Sequence, residues 1–281
     1  MSAVLEPLAA QPVQARPAAA AVRRRAATWL GQGAAIAAFM VLWQVLAVSH
    51  ARLGIVSFAN VPTPVAALEA GRELVDSGKL ARHLGYSLWR VGAGFLGAAA
   101  SGILLGLAIG RFAAVRRVLL PPLELLRPIP AVAWIPLAIL MFPSAELSMV
   151  FITFIGALFP VLLNTIHGVE GVDRRLVAAA RSLGTGRWRM FTQVIVPAAA
   201  PSIATGLAIG MGTCWFCLVS AEMIAGQFGI GYYTWESYTL QNYGGIVVGM
   251  LVIGVLGMGC SALIRLVARL AMPWTAAGSA R

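Results

Sequence analysis

Six long apolar runs constrain this chain more than any other feature. They cover Gly31–Ser49 and about Tyr86–Gly110, Val118–Phe142, Leu147–Ile166, Ser202–Ala221 and Gly245–Ile264. Runs of about 18 or more apolar residues read as membrane-spanning helices. With 59% hydrophobic and 11% charged residues among 281, the chain is too apolar for an ordinary soluble domain. The reading is an all-α integral membrane protein with six transmembrane helices. A net charge of +11 would suggest nucleic acid in a soluble protein. Here the cations gather between the apolar runs, which suits membrane lipid headgroups and excludes nucleic acid as a partner.

Residues 1–28, rich in Ala and Pro with Arg16 and Arg23-Arg24-Arg25, read as a disordered basic tail ahead of a membrane domain at 29–281. A basic cluster before an apolar run also resembles a signal peptide, with Ala47-Val48-Ser49 as a loose cleavage site. The Gly31–Ser49 run exceeds the usual ~7–15 residues of such a core, so it reads as an uncleaved first span. Lys and Arg set the orientation. One set of segments holds Arg23–Arg25, Arg111/Arg116/Arg117, Arg174 to Arg189 and Arg265/Arg269. The opposite set holds His50–Gly85, with four cations, and Pro143–Glu146 and Glu222–Asn242, with none. Both termini are therefore expected inside, in the cytoplasm.

Between the fourth and fifth spans lies the most polar and basic stretch, Val177–Ser202. It predicts a short helix from Arg174 to Leu183, a turn at Gly184-Thr185-Gly186, and a second helix with Trp188, Phe191 and Ile195 on one face. Pro197 and Pro201 are expected to break that pattern before the next span. Two short amphipathic helices joined by a glycine hinge suit a docking surface, and equally a solvated loop.

Elsewhere the polar residues are few. The loop Ala51–Arg82 predicts an amphipathic helix at Val65–Val75, lying flat on the outer face after Thr63 and Pro64. The third span is interrupted by Pro121, Pro122, Pro128, Pro130 and Pro136. Proline frees carbonyls that need protein or water partners at membrane depth, a property of helices that line cavities. Glu124 and Arg127, near its cytoplasmic end, either pair with each other or line a pathway. Asn164 and His167 close the fourth span, and Glu222 sits at the outer end of the fifth. Glu124, Arg127, Asn164 and Glu222 are the candidate path residues. Trp235 with Tyr232, Tyr233, Tyr238 and Tyr243 reads first as an interfacial aromatic belt.

Several catalytic patterns fail on context. Gly92-Ala93-Gly94-Phe95-Leu96-Gly97 fits a dinucleotide fingerprint but lies in an apolar helix with no strand before it. Glycines there, with Gly102, Gly106 and Gly110, and Gly206 and Gly210, suit close helix packing instead. Cys214 and Cys217 form C-x-x-C inside a span, with Cys260 their only companion, and read as small packing groups rather than metal ligands. Ser261 and His167 lack an acidic orienter. No G-x-x-x-x-G-K-[ST] occurs, so nucleotide energy cannot be captured by this chain alone.

The polar stretch also resembles the EAA loop of ABC-importer permeases. Ala178-Ala179-Ala180, Arg181-Ser182-Leu183, Gly184 and, nine residues later, Val194-Ile195-Val196-Pro197 match the spacing of that motif. Its leading Glu is Ala178 here, so any ion pair made by that Glu is missing. Leu119–Pro136, Phe159–Arg175 and Ala221–Gly231 are similar to the branch importing nitrate, bicarbonate, sulfonates, taurine and related solutes. The resemblance covers about residues 62–274, with the loop at 174–201. It implies an ABC importer type I (MetI-like) permease fold in a bacterial inner membrane, paired as a homodimer. It further implies a coupling surface comprising Ala178, Ala179, Ala180, Arg181, Ser182, Leu183, Gly184, Arg187, Trp188 and Pro197. Partners implied are ATP-binding subunits, which hold ATP and Mg, and a periplasmic or lipid-anchored solute-binding protein. The chain itself would be non-catalytic and bind no cofactor. An ion-gradient-driven secondary transporter or channel is the alternative, disfavoured because ionisable groups cluster at span ends.

Overall fold

The computed structural model describes residues 18–276, in two compact units divided between Pro64 and Val65. The first unit holds helix α1 (Ala18–Val48) and a hairpin of β1 (Arg52–Leu53) and β2 (Val56–Ser57). Residues 18–28 belong to this helix. Ala and Arg are strong helix formers, and extending an existing helix needs no new nucleus. The rest of the expected tail, residues 1–17, lies outside the described residues. The Trp43 indole N–H donates to the Pro62 carbonyl at 3.0 Å, closing the loop after the hairpin.

The second unit is a helix core built on α3 (Lys79–Arg111), α6 (Ala145–Glu170) and α9 (Val196–Ala225). Its register is set by small residues. A Cβ on Gly94 would lie 2.7 Å from Thr153, on Gly106 2.6 Å from Thr165, and on Gly110 2.8 Å from Val169. The constant offset means that α3 and α6 run parallel. Across the other face of α6, Gly156 meets Cys217, Gly206 meets Asn164, and Gly168 meets Ser202. That falling register makes α9 antiparallel to α6. Without side chains at these crossings the backbones approach closely, which is how helices associate where apolar burial offers no drive. Cys214 and Cys217 are buried in this packing.

Parallel α3 and α6 force the intervening chain back along the bundle. Arg111 ends α3 beside Val169 at the far end of α6, whereas Arg90 pairs with Glu146 at its start. These two points on α3 are about 30 Å apart at 1.5 Å per residue. Helix α4 (Ala113–Leu126), a 3-10 turn at Ala131–Trp134 and α5 (Ile135–Met141) cover the distance, bent by 86°. Leu119, Leu120 and Leu123 of α4 pack with Ile109, Leu162 and Ile166 near one end. Ala138 of α5 accepts a hydrogen bond from Ser148 at the other. The bend falls at Pro128 and Pro130, so the proline-interrupted run is a broken helix pair.

Among the described residues, five other helices are long and apolar enough to cross a membrane: Ala27–Val48, Lys79–Arg111, Ala145–Glu170, Arg187–Ala225 and Tyr243–Ala271. The last, α11 of Tyr243–Ala271, runs antiparallel to α9. Ala200–Leu207 share a groove with Ile264–Met272, while Gly212–Met223 share one with Ile253–Arg265. Helix α2 (Pro64–Asp76) forms where an amphipathic helix is expected, and its buried Ala70 and Leu74 pack on Val248 of α11.

Candidate functional site

At the Arg111–Glu170 end, Asp173 caps helix α7 (Arg174–Ser182) by accepting from the Arg175 amide at 2.8 Å. The helix ends at Gly184, whose φ of 75° is left-handed. The Thr185 amide donates to the Ala180 carbonyl and the Gly184 amide to Arg181, the paired bonds of a Schellman turn. Gly186 then starts α8 (Arg187–Arg189), and a π turn at Met190–Ile195 leads into α9. The helix thus runs unbroken through Pro197 and Pro201, where the sequence reading expects a break. In the wide turn Val196 N–H donates to Phe191 O, five residues back. The ladder is already reset there, just before the first proline removes its donor.

Val177 and Ala180 of α7 join Phe191 and Val194 against a small core of Val169, Met190, Ile195 and Ala199. So the two short helices are fixed to the ends of α6 and α9, not loosely solvated. The opposite face stays out. Leu183 is 86% and Trp188 75% exposed. Arg174, Arg175, Arg181, Arg187 and Arg189 flank them along the chain, all exposed. Ala178, Ala179, Ser182 and Gly184 share that exposure, while Ala180 and Pro197 are half-buried. Trp188, Phe191 and Ile195 run from exposed through half-buried to buried, with the Trp188 and Phe191 rings 6.4 Å apart and Phe191 packed on the cluster that holds Ile195. Two exposed large apolar side chains in a segment with five exposed arginines suit an apolar cleft with an acidic rim.

A Cβ on Gly184 would meet nothing within 4 Å. Only the backbone therefore resists substitution, by about 1–2 kcal/mol for ordinary L-residues, with Asn the best tolerated. Gly184→Val is expected to lower transport and Gly184→Asn to keep most of it, with membrane insertion unchanged in both. Uptake by membrane vesicles checks this; an equal loss in both would implicate side-chain volume instead of the turn.

The four candidate path residues are not brought together. Glu124 and Arg127 are both exposed, just before the bend, and no ion pair joins them among the described residues. Asn164 donates to the Pro160 carbonyl at 2.8 Å, and a Cβ on Gly206 of α9 would meet its Cβ. Glu222 is fully buried at the opposite end of the core.

Glu222 belongs to a network absent from the sequence reading. Arg90, fully buried within α3, donates from Nη1 to Glu222 Oε1 at 2.8 Å and to the Phe228 carbonyl at 2.6 Å. Its Nε and Nη2 grip both oxygens of Glu146, at 2.8 and 2.5 Å. Glu222 also accepts from Ser87 Oγ at 2.8 Å and from the Gly231 amide at 2.9 Å. Ser87 Oγ accepts from the Ile230 amide, and His83 Nδ1 from the Gly229 amide. Gly229 has a φ of 122°, and a Cβ there would collide with the Glu222 carboxylate. The network ties α3, the start of α6, the end of α9 and the start of α10 (Ile230–Thr239). The one sequence signal was His83, Ser87 and Arg90 at helical spacing on one face of a span.

Residues 102–276 match the family described as binding-protein-dependent transport system inner membrane component. A putative ABC transporter permease protein of Methanocaldococcus jannaschii is 37% identical over 78% of this chain and 82% of its own. A nitrate import permease protein of a Synechocystis strain is 34% identical, covering 85% of this chain and 88% of the relative. A putative aliphatic sulfonates transport permease protein of Bacillus subtilis is also 34% identical, over 85% of each. The apolar helix core, the paired short helices at one end and these matches together place the chain in the binding-protein-dependent transport system inner membrane component family, the inner-membrane permeases of ABC importers.

Proposed function

We propose that this permease carries a small oxyanion inward, driven by ATP and Mg bound on a separate subunit that docks on α7 and α8. Relatives named for nitrate and for aliphatic sulfonates support the solute class. The family is that of importers fed by a solute-binding protein and powered by ATP-binding subunits. The observation that carries the docking reading is the exposed Leu183–Trp188 pair among arginines.

The orientation follows from charge. Arg111, Arg116 and Arg117, the α7–α8 arginines, and Arg265 and Arg269 all belong to one end of the core, because α6 parallels α3 and α9 is antiparallel to both α6 and α11. That end faces the cytoplasm by the positive-inside bias. Counting the broken pair as one crossing, six spans leave both termini inside. Closure of the ATP-binding subunits would then move α7 and α8, and through the π turn the whole of α9. Two copies would face each other across the path, with the exposed Glu124 and Arg127 near its inner mouth.

Co-expression with ATP-binding subunits and purification in detergent tests the proposal. The expected result is a stoichiometric complex with permease-dependent ATPase, lost when residues 181–188 are deleted. A folded permease that retains no such subunit, and whose uptake follows an ion gradient regardless of ATP, overturns it.

A further inference from the structure

The geometry points to Arg90 as a latent binding site for a small planar oxyanion, kept closed by the Glu146 carboxylate. The solute class rests on the importer reading above; the site itself rests on contacts within this chain. Glu222 is fully buried and held by Ser87 and the Gly231 amide, so it alone neutralises Arg90. Glu146 is a second carboxylate on the same guanidinium. It takes the Nε–Nη2 fork, the edge that binds a planar O–X–O group through two parallel bonds.

Three features make Glu146 exchangeable where Glu222 is not. Its side chain is 46% exposed, whereas those of Arg90 and Glu222 are 0%. It lies in the first turn of α6, two residues after the Ser144 cap, and among the described residues its hydrogen-bond partner is Arg90. Its removal would open the fork to solvent while Nη1 keeps Glu222 and the Phe228 carbonyl. Nitrate, formate or bicarbonate entering in its place restores both hydrogen bonds and leaves the local charge unchanged. Arg82 is exposed and lies 3.9 Å above the ring of Phe228, whose carbonyl accepts from Arg90. The same swap would untie the start of α6 from α3, so binding and opening at the outer end are one event.

The test is calorimetric titration of the purified full chain with sodium nitrate at constant ionic strength, with chloride as control. Glu146→Ala is expected to bind nitrate at least about tenfold more tightly than the wild type, a difference of about 1.4 kcal/mol. Nitrate and formate, but not chloride, should raise its unfolding midpoint. Nitrate binding no tighter than in the wild type, or matched by chloride, overturns the site. Should Glu146→Ala fold poorly, its recovery when purified in nitrate against chloride reads the same property, and equal recovery overturns it. Glu146→Gln, which keeps the shape without the charge, should move in the same direction by less. Permease-dependent ATPase in a preparation without nitrate-specific binding rejects the site and leaves the importer reading standing. Nitrate-specific binding without coupled ATPase rejects the importer reading alone.

Discussion

Replacing Arg90 with Ala is expected to lower the stability of the folded protein by about 3–5 kcal/mol, the usual effect of removing one partner from a buried ion pair. Glu222 would keep Ser87 and the Gly231 amide but lose its only counter-charge, in a site from which water is excluded. Glu222→Ala should be milder, because Arg90 retains Glu146 through two hydrogen bonds. Glu146→Ala should be milder still, since it leaves the Arg90–Glu222 pair whole and removes a half-exposed group. The order Arg90→Ala, then Glu222→Ala, then Glu146→Ala is the content of the prediction. Unfolding midpoints in detergent, with the yield of monodisperse protein, measure it. The double variant Arg90→Ala/Glu222→Ala should recover part of the loss from Arg90→Ala, as two groups sharing one contact are not additive. A stable Arg90→Ala protein, or strictly additive losses, would mean that the network does not hold the core.

That network also marks where sequence reasoning ends. Apolar runs mark the spans because helices crossing hydrocarbon must be apolar along their length, and the described helices fall on the expected runs. Gly102, Gly106 and Gly110 were legible as packing residues for the same reason, and each closely approaches α6. An interruption of the third run was legible in its five prolines, but the bend falls at Pro128 and Pro130 while Pro121, Pro122 and Pro136 lie within helices. Partnership was not legible. Arg90 meets carboxylates 56 and 132 residues away, and its helical spacing from His83 and Ser87 marks a face without naming those partners. Glu222 read as a path candidate, with interfacial exposure the alternative, because its charge was weighed without its partner. Pro197 and Pro201 misled in the opposite direction. A missing donor suggests a break, but a π turn upstream accommodates both within one helix. At 174–189 the local rules sufficed: an Asp cap, a nine-residue helix and a left-handed glycine are all short-range features.

Leu183→Asp and Trp188→Ala are expected to leave the permease as stable as the wild type yet abolish its complex with ATP-binding subunits. Both side chains project from the helix core, at 86% and 75% exposure, so neither substitution opens a cavity or buries a charge. An aromatic anchor of this kind contributes about 2 kcal/mol or more to an interface, or about thirtyfold in affinity. Aspartate at Leu183 would add a carboxylate that repels the acidic rim proposed for the partner. Reversal of Arg181 and Arg187 to Glu should weaken the complex as well, with association slowed most at low salt, because exposed charges steer encounter more than they hold contact. Met190→Ala supplies the contrast. Met190 is buried with Val169, Ile195 and Ala199 beneath the surface, so its truncation should lower the unfolding midpoint before it affects docking. Pull-down of the subunit and permease-dependent ATPase, read beside unfolding midpoints, separate the two effects. Loss of complex with stability intact in the outer pair, and loss of stability in the inner residue, would place the contact on the α7–α8 face. Intact complexes in Leu183→Asp and Trp188→Ala would return those residues to solvent and require the ATP-driven motion to enter the membrane core elsewhere.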